Sequence, residues 1–418
     1  MVKGVDSVGD FIYTGGMTVG DVLTLKIESV AFRGSGIARH EEWVVFVPET
    51  IPGERVTACI ESVRSNFATA KVVSIDEPSP DRITPCCRIA STQYRVPGCA
   101  YDHIRYDAEV AIKNQQLRDF LERQVLKASC ADVLRAPVPS PKDLHYRNKI
   151  VLHGVIQNGV KCLGYYGDDN ETVVPILECP LVVPEINEGV HIYQSQRNRY
   201  RYPCRLTLRW TPHDGICSWF GKTPAKEPPL LEDTVLGAVE VPADGFFQVN
   251  TKIADYLVEE VIWHLRAIQP DFVLDLYCGV GIFALAAASL GVSRVVGVEC
   301  RTHAVASAKR NAKMLLLKAS FHCCDATVGA KEALKGVSSR RRCVIVDPPR
   351  DGLDEAMRGV LMEHLPETII YVSCAPDTLA RDLTTLMNKN RYSLVSARLF
   401  DMFPRTAHFE SIVVLQRT

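Results

Sequence analysis

From Val19 to Ile75, short apolar runs alternate with Gly and Pro turns: VLTLKIESVAF, WVVFVPE, IPGERVTACIESV and ATAKVVSI. Short strands at such spacing predict a small β-barrel. The Pro-rich, polar EPSPDRITP that follows reads as a linker. The pattern then loosens. Val110, Leu117, Leu121 and Val125 share one helical face over roughly Asp107–Lys127. KIVLHGVI and KCLGYYG flank a turn at Asn158-Gly159, and RLTLRW and GICSWF flank one near His213-Asp214-Gly215. From Gly245 onward the period changes again. FVLDLYCGVG, VVGVEC, CVIVDPPR, IIYVSC and SIVVLQ alternate with helical stretches, the pattern of a doubly wound parallel sheet. The expected fold class is therefore α/β, with an OB-like barrel over 16–78, a central α+β segment over 79–244 and a Rossmann-like domain over 245–418.

Composition narrows this picture. The chain has 418 residues and a formal net charge of −1, so no global field recruits a polyanion. Residues 1–80 carry 7 Lys/Arg against 11 Asp/Glu, so the barrel segment is acidic overall. No apolar run approaches the roughly 20 residues that span a bilayer. MVKGVDSVGDF has no secretory apolar region. Fifteen cysteines spread over so long a chain suggest reduced thiols, and the expectation is a cytoplasmic protein without a membrane partner. Oligomeric state is left open. The one basic run is RNRYRYPCRLTLRW, with Arg197, Arg199, Arg201, Arg205 and Arg209. Arginines interleaved with aromatics suit phosphates and unstacked bases, and equally a solvated strand face.

Candidate chemistry gathers at the carboxyl ends of the later strands, where ligands bind in such sheets. Asp275-Leu-Tyr-Cys-Gly279-Val-Gly281 ends one strand and opens a helix. Its glycines let backbone approach a ligand, but the spacing offers no pyrophosphate cradle, which points to S-adenosylmethionine rather than a dinucleotide. Glu299 ends the next strand and could accept hydrogen bonds from ribose hydroxyls; Asp325 follows the third and could face the adenine. Asp347, before Pro-Pro-Arg350, and Cys374 end two more. A free cysteine is most often a small buried hydrophobe. At a strand end beside a nucleotide site it can instead be a nucleophile. A thiolate adding to carbon 6 of uracil turns carbon 5 into an enolate-like centre able to take a methyl group. A base must then remove the carbon 5 proton, and Glu410, just before the last strand, is a candidate, although it could equally be a surface carboxylate.

At these residues the chain resembles the RNA 5-methyluridine methyltransferase family. The matching pieces are Phe246–Asn250 (FFQVN), DLYCGVG, VVGVE, Asp347–Leu353 (DPPRDGL), Ser373–Leu383 (SCAPDTLARDL) and Phe400–Glu410 (FDMFPRTAHFE). The resemblance implies a class I methyltransferase domain and an RNA substrate, 23S ribosomal RNA ahead of tRNA. It also implies that Gln248, Tyr277, Glu299 and Asp347 contact S-adenosylmethionine, that Cys374 is the nucleophile and that Glu410 is the base. Residues 19–75 resemble the TRAM domain, a small RNA-binding barrel.

Many TRAM-bearing members hold a 4Fe–4S cluster through a C-x5-C-x2-C run and a downstream cysteine. By that resemblance Cys87, Cys99 and Cys179 are ligand positions here, with Cys86 a stand-in for the fourth. Val96 stands where the middle cysteine belongs. A four-thiolate cluster is therefore expected to be lost or altered. Two rival functions remain open: an amino-nitrogen methyltransferase that uses the DPPR loop, and a non-catalytic RNA-binding factor with a relic fold.

Overall fold

The computed structural model describes residues 17–86, 98–167, 169–222, 228–337 and 341–418. Contacts divide the chain into two compact units, one ending at Arg82 and one running from Ile83 to Thr418.

The first unit is the expected barrel. Strands β1 (Val22–Val30), β2 (Ser35–His40), β3 (Trp43–Pro48), β4 (Arg55–Val63) and β5 (Phe67–Glu77) close in the order β1-β2-β3-β5-β4. Strict alternation drives the closure. Leu25, Ile27, Val45, Val47, Val56, Ala58, Ile60, Ala68 and Ala70 point inward and fill one apolar cluster. Full closure leaves no free edge to pair with another chain.

The second unit holds both remaining segments. Helix α1 (Tyr106–Phe120) runs into a π-helical turn over Leu121–Leu126. Strands β6 (Lys149–Gln157), β7 (Val160–Tyr166) and β8 (Val173–Pro175), helix α2 (Pro184–Ser195), and strands β9 (Cys204–Thr211) and β10 (Gly215–Phe220) follow. They form an antiparallel sheet in the order β10-β9-β6-β7-β8. Ile150, Leu152, Leu163, Leu206 and Leu208 sit on one face in a single cluster with Ile186 and Val190 of α2. A hairpin of β11 (Leu230–Thr234) and β12 (Gly237–Val241) connects this layer to the last domain.

That domain begins at α3 (Thr251–Ile268), whose first turn is capped by the Asn250 side chain accepting from the Ile253 amide. Then come β13 (Phe272–Leu276), α4 (Ile282–Ser289), β14 (Arg294–Glu299), α5 (Thr302–Met314), β15 (Ser320–Cys323), α6 (Ala326–Leu334) and β16 (Arg342–Val346). They are followed by α7 (Glu355–His364), β17 (Thr368–Ser373), α8 (Pro376–Leu386), β18 (Tyr392–Phe400) and β19 (Glu410–Arg417). The sheet order is β15-β14-β13-β16-β17-β19-β18, parallel except for β19, which runs antiparallel to both neighbours. Strands buried on both faces, such as Phe272–Leu276 and Thr368–Ser373, explain the unbroken apolar runs in the sequence. Among the described residues no helix is long and apolar enough to cross a membrane.

Candidate active site

The glycine loop after β13 is built by its own backbone. Tyr277 has φ +62°, Gly279 +53° and Gly281 +87°. A left-handed conformation at a tyrosine is a strained choice that surrounding structure must hold. Gly281 is obligatory, since a Cβ there would meet the Phe321 ring at 2.7 Å. The sequence places Asp275 among the cofactor contacts. Instead it is fully buried behind the loop, and its Oδ2 accepts from the Ala284 amide at 2.9 Å, fixing the start of α4. It shapes the loop and does not line the cleft.

The cleft itself is lined by Phe246, Gln248, Tyr277, Gly279, Phe283 and Asp347 among others. Glu299 is half-buried and is not among the lining residues. Its Oε2 accepts from the Gly279 amide at 3.1 Å and its Oε1 from the Arg301 amide at 2.9 Å. Asp325 is exposed and caps α6, its Oδ1 accepting from the Thr327 and Val328 amides. Gly281 packs inward and Asp325 caps a helix, so of the expected set Gln248, Tyr277, Gly279 and Asp347 are the groups that line the cleft. Burial, above all, pushes Asp347 up to about 7. Burial also pushes Asp275 well above the usual carboxylate range, with Asp347 and Glu299 adding to the shift, and one Asp275 oxygen is buried without a partner. Once ionised, the half-buried Asp347 carboxylate in the cleft wall suits a cationic sulfonium donor.

Cys374 follows β17 and Glu410 opens β19. The antiparallel register pairs Ser373 with Ser411, and the Ser411 hydroxyl donates to the Ser373 carbonyl at 3.3 Å. Carrying that register one step sets Cys374 opposite Glu410, although 36 residues separate them in sequence. Glu410 is 3% exposed, which removes the reading of a surface carboxylate. Burial pushes the Cys374 thiol up to about 12, helped by the Glu410 and Asp347 charges and opposed by Arg350. Burial likewise pushes Glu410 well above its ordinary value, with Asp347 adding to it and Arg350 opposing. Thiol, two carboxylates and one guanidinium therefore share a single electrostatic site.

Two networks missed in the sequence hold it. Asp382 of α8 is fully buried, and its Oδ2 accepts from the Leu353 amide at 2.7 Å and the Tyr371 hydroxyl at 2.8 Å. Its Oδ1 accepts from Arg358 at 2.9 Å and from Arg381 at 2.9 Å. With Thr378 donating to the Arg350 carbonyl at 3.0 Å, α8 clamps the Asp347–Leu353 loop. On the other side, Lys113 of α1 is fully buried between Glu109 and Asp401, both at 2.7 Å, and donates to the Phe403 carbonyl at 3.1 Å. Arg405, with φ +67°, pairs with Asp143, donates to the Ile104 carbonyl at 2.6 Å and offers its amide to Glu109 at 2.7 Å. The loop leading into Glu410 is thus held by the central segment.

Of the expected cluster ligands, Cys87 lies outside the described residues, as does Val96. Cys99 and Cys179 are buried in the apolar cluster under the central sheet, while Cys86 is exposed. Among the described residues no group of three or more metal-ligating side chains gathers. With Val96 in place of the middle cysteine, Cys86 is the residue left to complete a four-thiolate set. Arg209, grouped in the sequence with the basic run, is buried against Glu232 at 2.8 Å and is not an RNA contact.

Fold, cleft and strand-end residues together define a class I methyltransferase domain carrying a candidate nucleophile. Residues 237–418 match the tRNA (Uracil-5-)-methyltransferase family model, and residues 16–73 match the TRAM domain. An uncharacterized RNA methyltransferase of Thermosynechococcus vestitus is 29% identical, covering 95% of this chain and 98% of its own. The 23S rRNA (uracil(1939)-C(5))-methyltransferase of Shewanella amazonensis is 29% identical over 94% of this chain and 95% of its own. Among solved structures, the tRNA (uracil-54, C5)-methyltransferase of Pyrococcus abyssi matches with TM-score 0.70 at 23% identity, over 94% of this chain and 99% of that one. Along nearly its whole length the chain is therefore similar to RNA uracil-C5 methyltransferases.

Proposed function

We propose that this protein works in the cytoplasm, transferring the methyl group of S-adenosylmethionine to carbon 5 of a uridine in 23S ribosomal RNA through a covalent bond between Cys374 and carbon 6. The observation that carries it is the pairing of the Cys374 thiol with the buried Glu410 across adjoining strand ends, beside a cleft lined by Gln248, Tyr277 and Asp347. In this reading those three residues, with Glu299, hold the donor, which supplies an electrophilic methyl on a sulfonium. Cys374 gives up its proton to solvent water, and its sulfur bonds to carbon 6 of the uracil. The electron pair released along the ring makes carbon 5 nucleophilic, and carbon 5 takes up the methyl group as the methyl–sulfur bond of the sulfonium breaks, leaving S-adenosylhomocysteine. Glu410 then accepts the carbon 5 proton, and the returning electron pair expels the Cys374 thiolate. The uracil must leave any stack or helix to reach the thiol.

The test is tritium release from [5-³H]uridine RNA, using 23S ribosomal RNA and tRNA transcripts in parallel. Release from the ribosomal transcript is expected, with a denaturation-stable adduct on 5-fluorouridine RNA. Both should vanish in Cys374→Ala while donor binding persists. Activity confined to tRNA would overturn the substrate, and an active Cys374→Ala would overturn the mechanism.

A further inference from the structure

The central sheet has two unlike faces. Ile150, Leu152, Leu206 and Leu208 pack under α2, where Gly189 approaches Leu208 and Ile216. Side chains alternate along a strand, so the neighbouring positions of β6 and β9 face the other way. The register pairs Lys149 with Arg209 and His153 with Arg205, and on the β7 side His153 pairs with Gly164. Continuing that pairing brings Tyr166 onto the same face, and the ring centroids of His153 and Tyr166 lie 4.2 Å apart. At one end of this face the β11–β12 hairpin covers Arg209 and Trp219 through Glu232 and Leu230. At the other end Tyr166 is 38% exposed and Arg205 is exposed.

Charge and position mark this open end. Of the five arginines in residues 195–211, Arg205 lies at this end, while Arg209 is paired with Glu232 at the covered one. Lys149 donates to the Gly245 carbonyl at 3.3 Å, immediately before the Phe246–Gln248 stretch that lines the donor cleft. Burial pulls its pKa down to about 8; Arg209, Arg205 and Arg301 add to that, and Asp244 opposes it. A lysine held among arginines is stabilised by an incoming anion. One helix-backed sheet face carrying stacked rings and cations is the arrangement by which sheet-based RNA modules hold unpaired bases and their phosphates.

We propose that the open end of this face, formed by Tyr166, His153 and Arg205, holds a single-stranded RNA segment flanking the target uridine, with Lys149 farther along the same face towards the hairpin. Tyr166 and His153 stack with a base, while Arg205 and Lys149 contact phosphates, Lys149 nearest the donor cleft. The inference rests on the RNA methylation proposed above and adds the surface that would feed it.

The test measures binding of a fluorescein-labelled oligouridylate of about 12 nucleotides, a length within the range of single-strand sites. Tyr166→Ala and Arg205→Gln are compared with wild type by anisotropy at several salt concentrations. Both side chains are exposed, and S-adenosylhomocysteine binding reports whether each variant is folded. Each variant should weaken RNA binding about tenfold, in line with the removal of one stacking ring or one phosphate-binding cation. Arg205→Gln should also lower the salt dependence by about 0.7 for each phosphate it no longer neutralises, whereas Tyr166→Ala should leave the slope unchanged. Unchanged affinity in both folded variants, or a defect in self-association in place of one in RNA binding, overturns the proposal. If wild type releases no tritium from any RNA, the methylation reading fails instead, which is a separate outcome.

Discussion

The electrostatics of Cys374 predict how slowly it reacts before substrate arrives. Burial, then Glu410 and Asp347, lift the thiol from 9.0 to about 12. Near neutral pH this leaves about a thousandfold less thiolate than at an ordinary cysteine. The rarer thiolate is more basic and hence more nucleophilic, by about 15–30-fold for a Brønsted coefficient of about 0.4–0.5. Alkylation by iodoacetamide at about pH 7.5 should therefore run roughly 30–60-fold slower than for a free small-molecule thiol, followed by peptide mass spectrometry so that the other cysteines do not interfere. Steric shielding could also slow the reaction, but it would not move the pH midpoint. The decisive measurement is the pH–rate profile, which should keep climbing about tenfold per pH unit beyond pH 9. Glu410→Gln removes a negative charge next to the sulfur and should shift the profile to lower pH. A plateau near pH 9 in wild type, or no shift in Glu410→Gln, would refute the assignment of a shared electrostatic site.

Glu410→Gln keeps shape but cannot accept the carbon 5 proton, so it should methylate once and stall with RNA attached to Cys374. A slow-migrating band on a denaturing gel checks this; turnover should fall about 10²–10⁴-fold, and the double variant with Cys374→Ala should give no band. Asp347 titrates at about 7 in the free protein, so it is neutral below that pH and charged above it. Affinity for cationic S-adenosylmethionine should therefore fall as pH drops from about 8 to 6, while neutral S-adenosylhomocysteine responds much less, measurable by calorimetry. Asp382→Ala strips four donors of a buried acceptor and leaves Arg358 facing an apolar gap. It should cost about 3–5 kcal/mol in chemical denaturation, and Asp382→Asn, which restores part of the bonding, should cost less.

How much of this was legible in the sequence depended on whether the signal was local. The glycine loop, the acid at the end of β14 and the strand-end Asp347 and Cys374 are written in contiguous residues, because a parallel sheet gathers consecutive strand ends on one edge. The barrel was legible for a similar reason, its alternation and turns being short-range. What the sequence hid was long-range pairing. Glu410 meets Cys374 only because β19 inserts antiparallel between β17 and β18. Arg209 reads as one arginine of a solvated run, yet its partner Glu232 comes from a hairpin twenty-three residues away and buries it. Lys113 and Glu109 look like an ordinary surface i,i+4 pair until Asp401 closes over them. Asp275 has a position typical of a ligand contact, and only the structure reveals that the helix amide claims it.

These hidden contacts explain why the central segment and the catalytic domain form one compact unit rather than two. The loop that ends at Glu410 has no helix of its own to rest on; its polar backbone is satisfied by Tyr101, Lys113, Tyr146 and Glu109. All four belong to the central segment. A buried lysine between two carboxylates is costly to desolvate and adds little net stability over apolar packing, but removing one partner is severe because an unpaired charge stays behind. Such a network tolerates one geometry and penalises its neighbours. That is the property needed where a carboxylate must face a thiol across strand ends without a flexible tether. The same central segment sets Lys149 against the Gly245 carbonyl at the rim of the donor cleft. The insert thus fixes the position of Glu410 from one side and bears on the approach to the cleft from the other, so substitutions in α1, far from the cleft in sequence, should disturb the chemistry of Glu410 before they disturb donor binding.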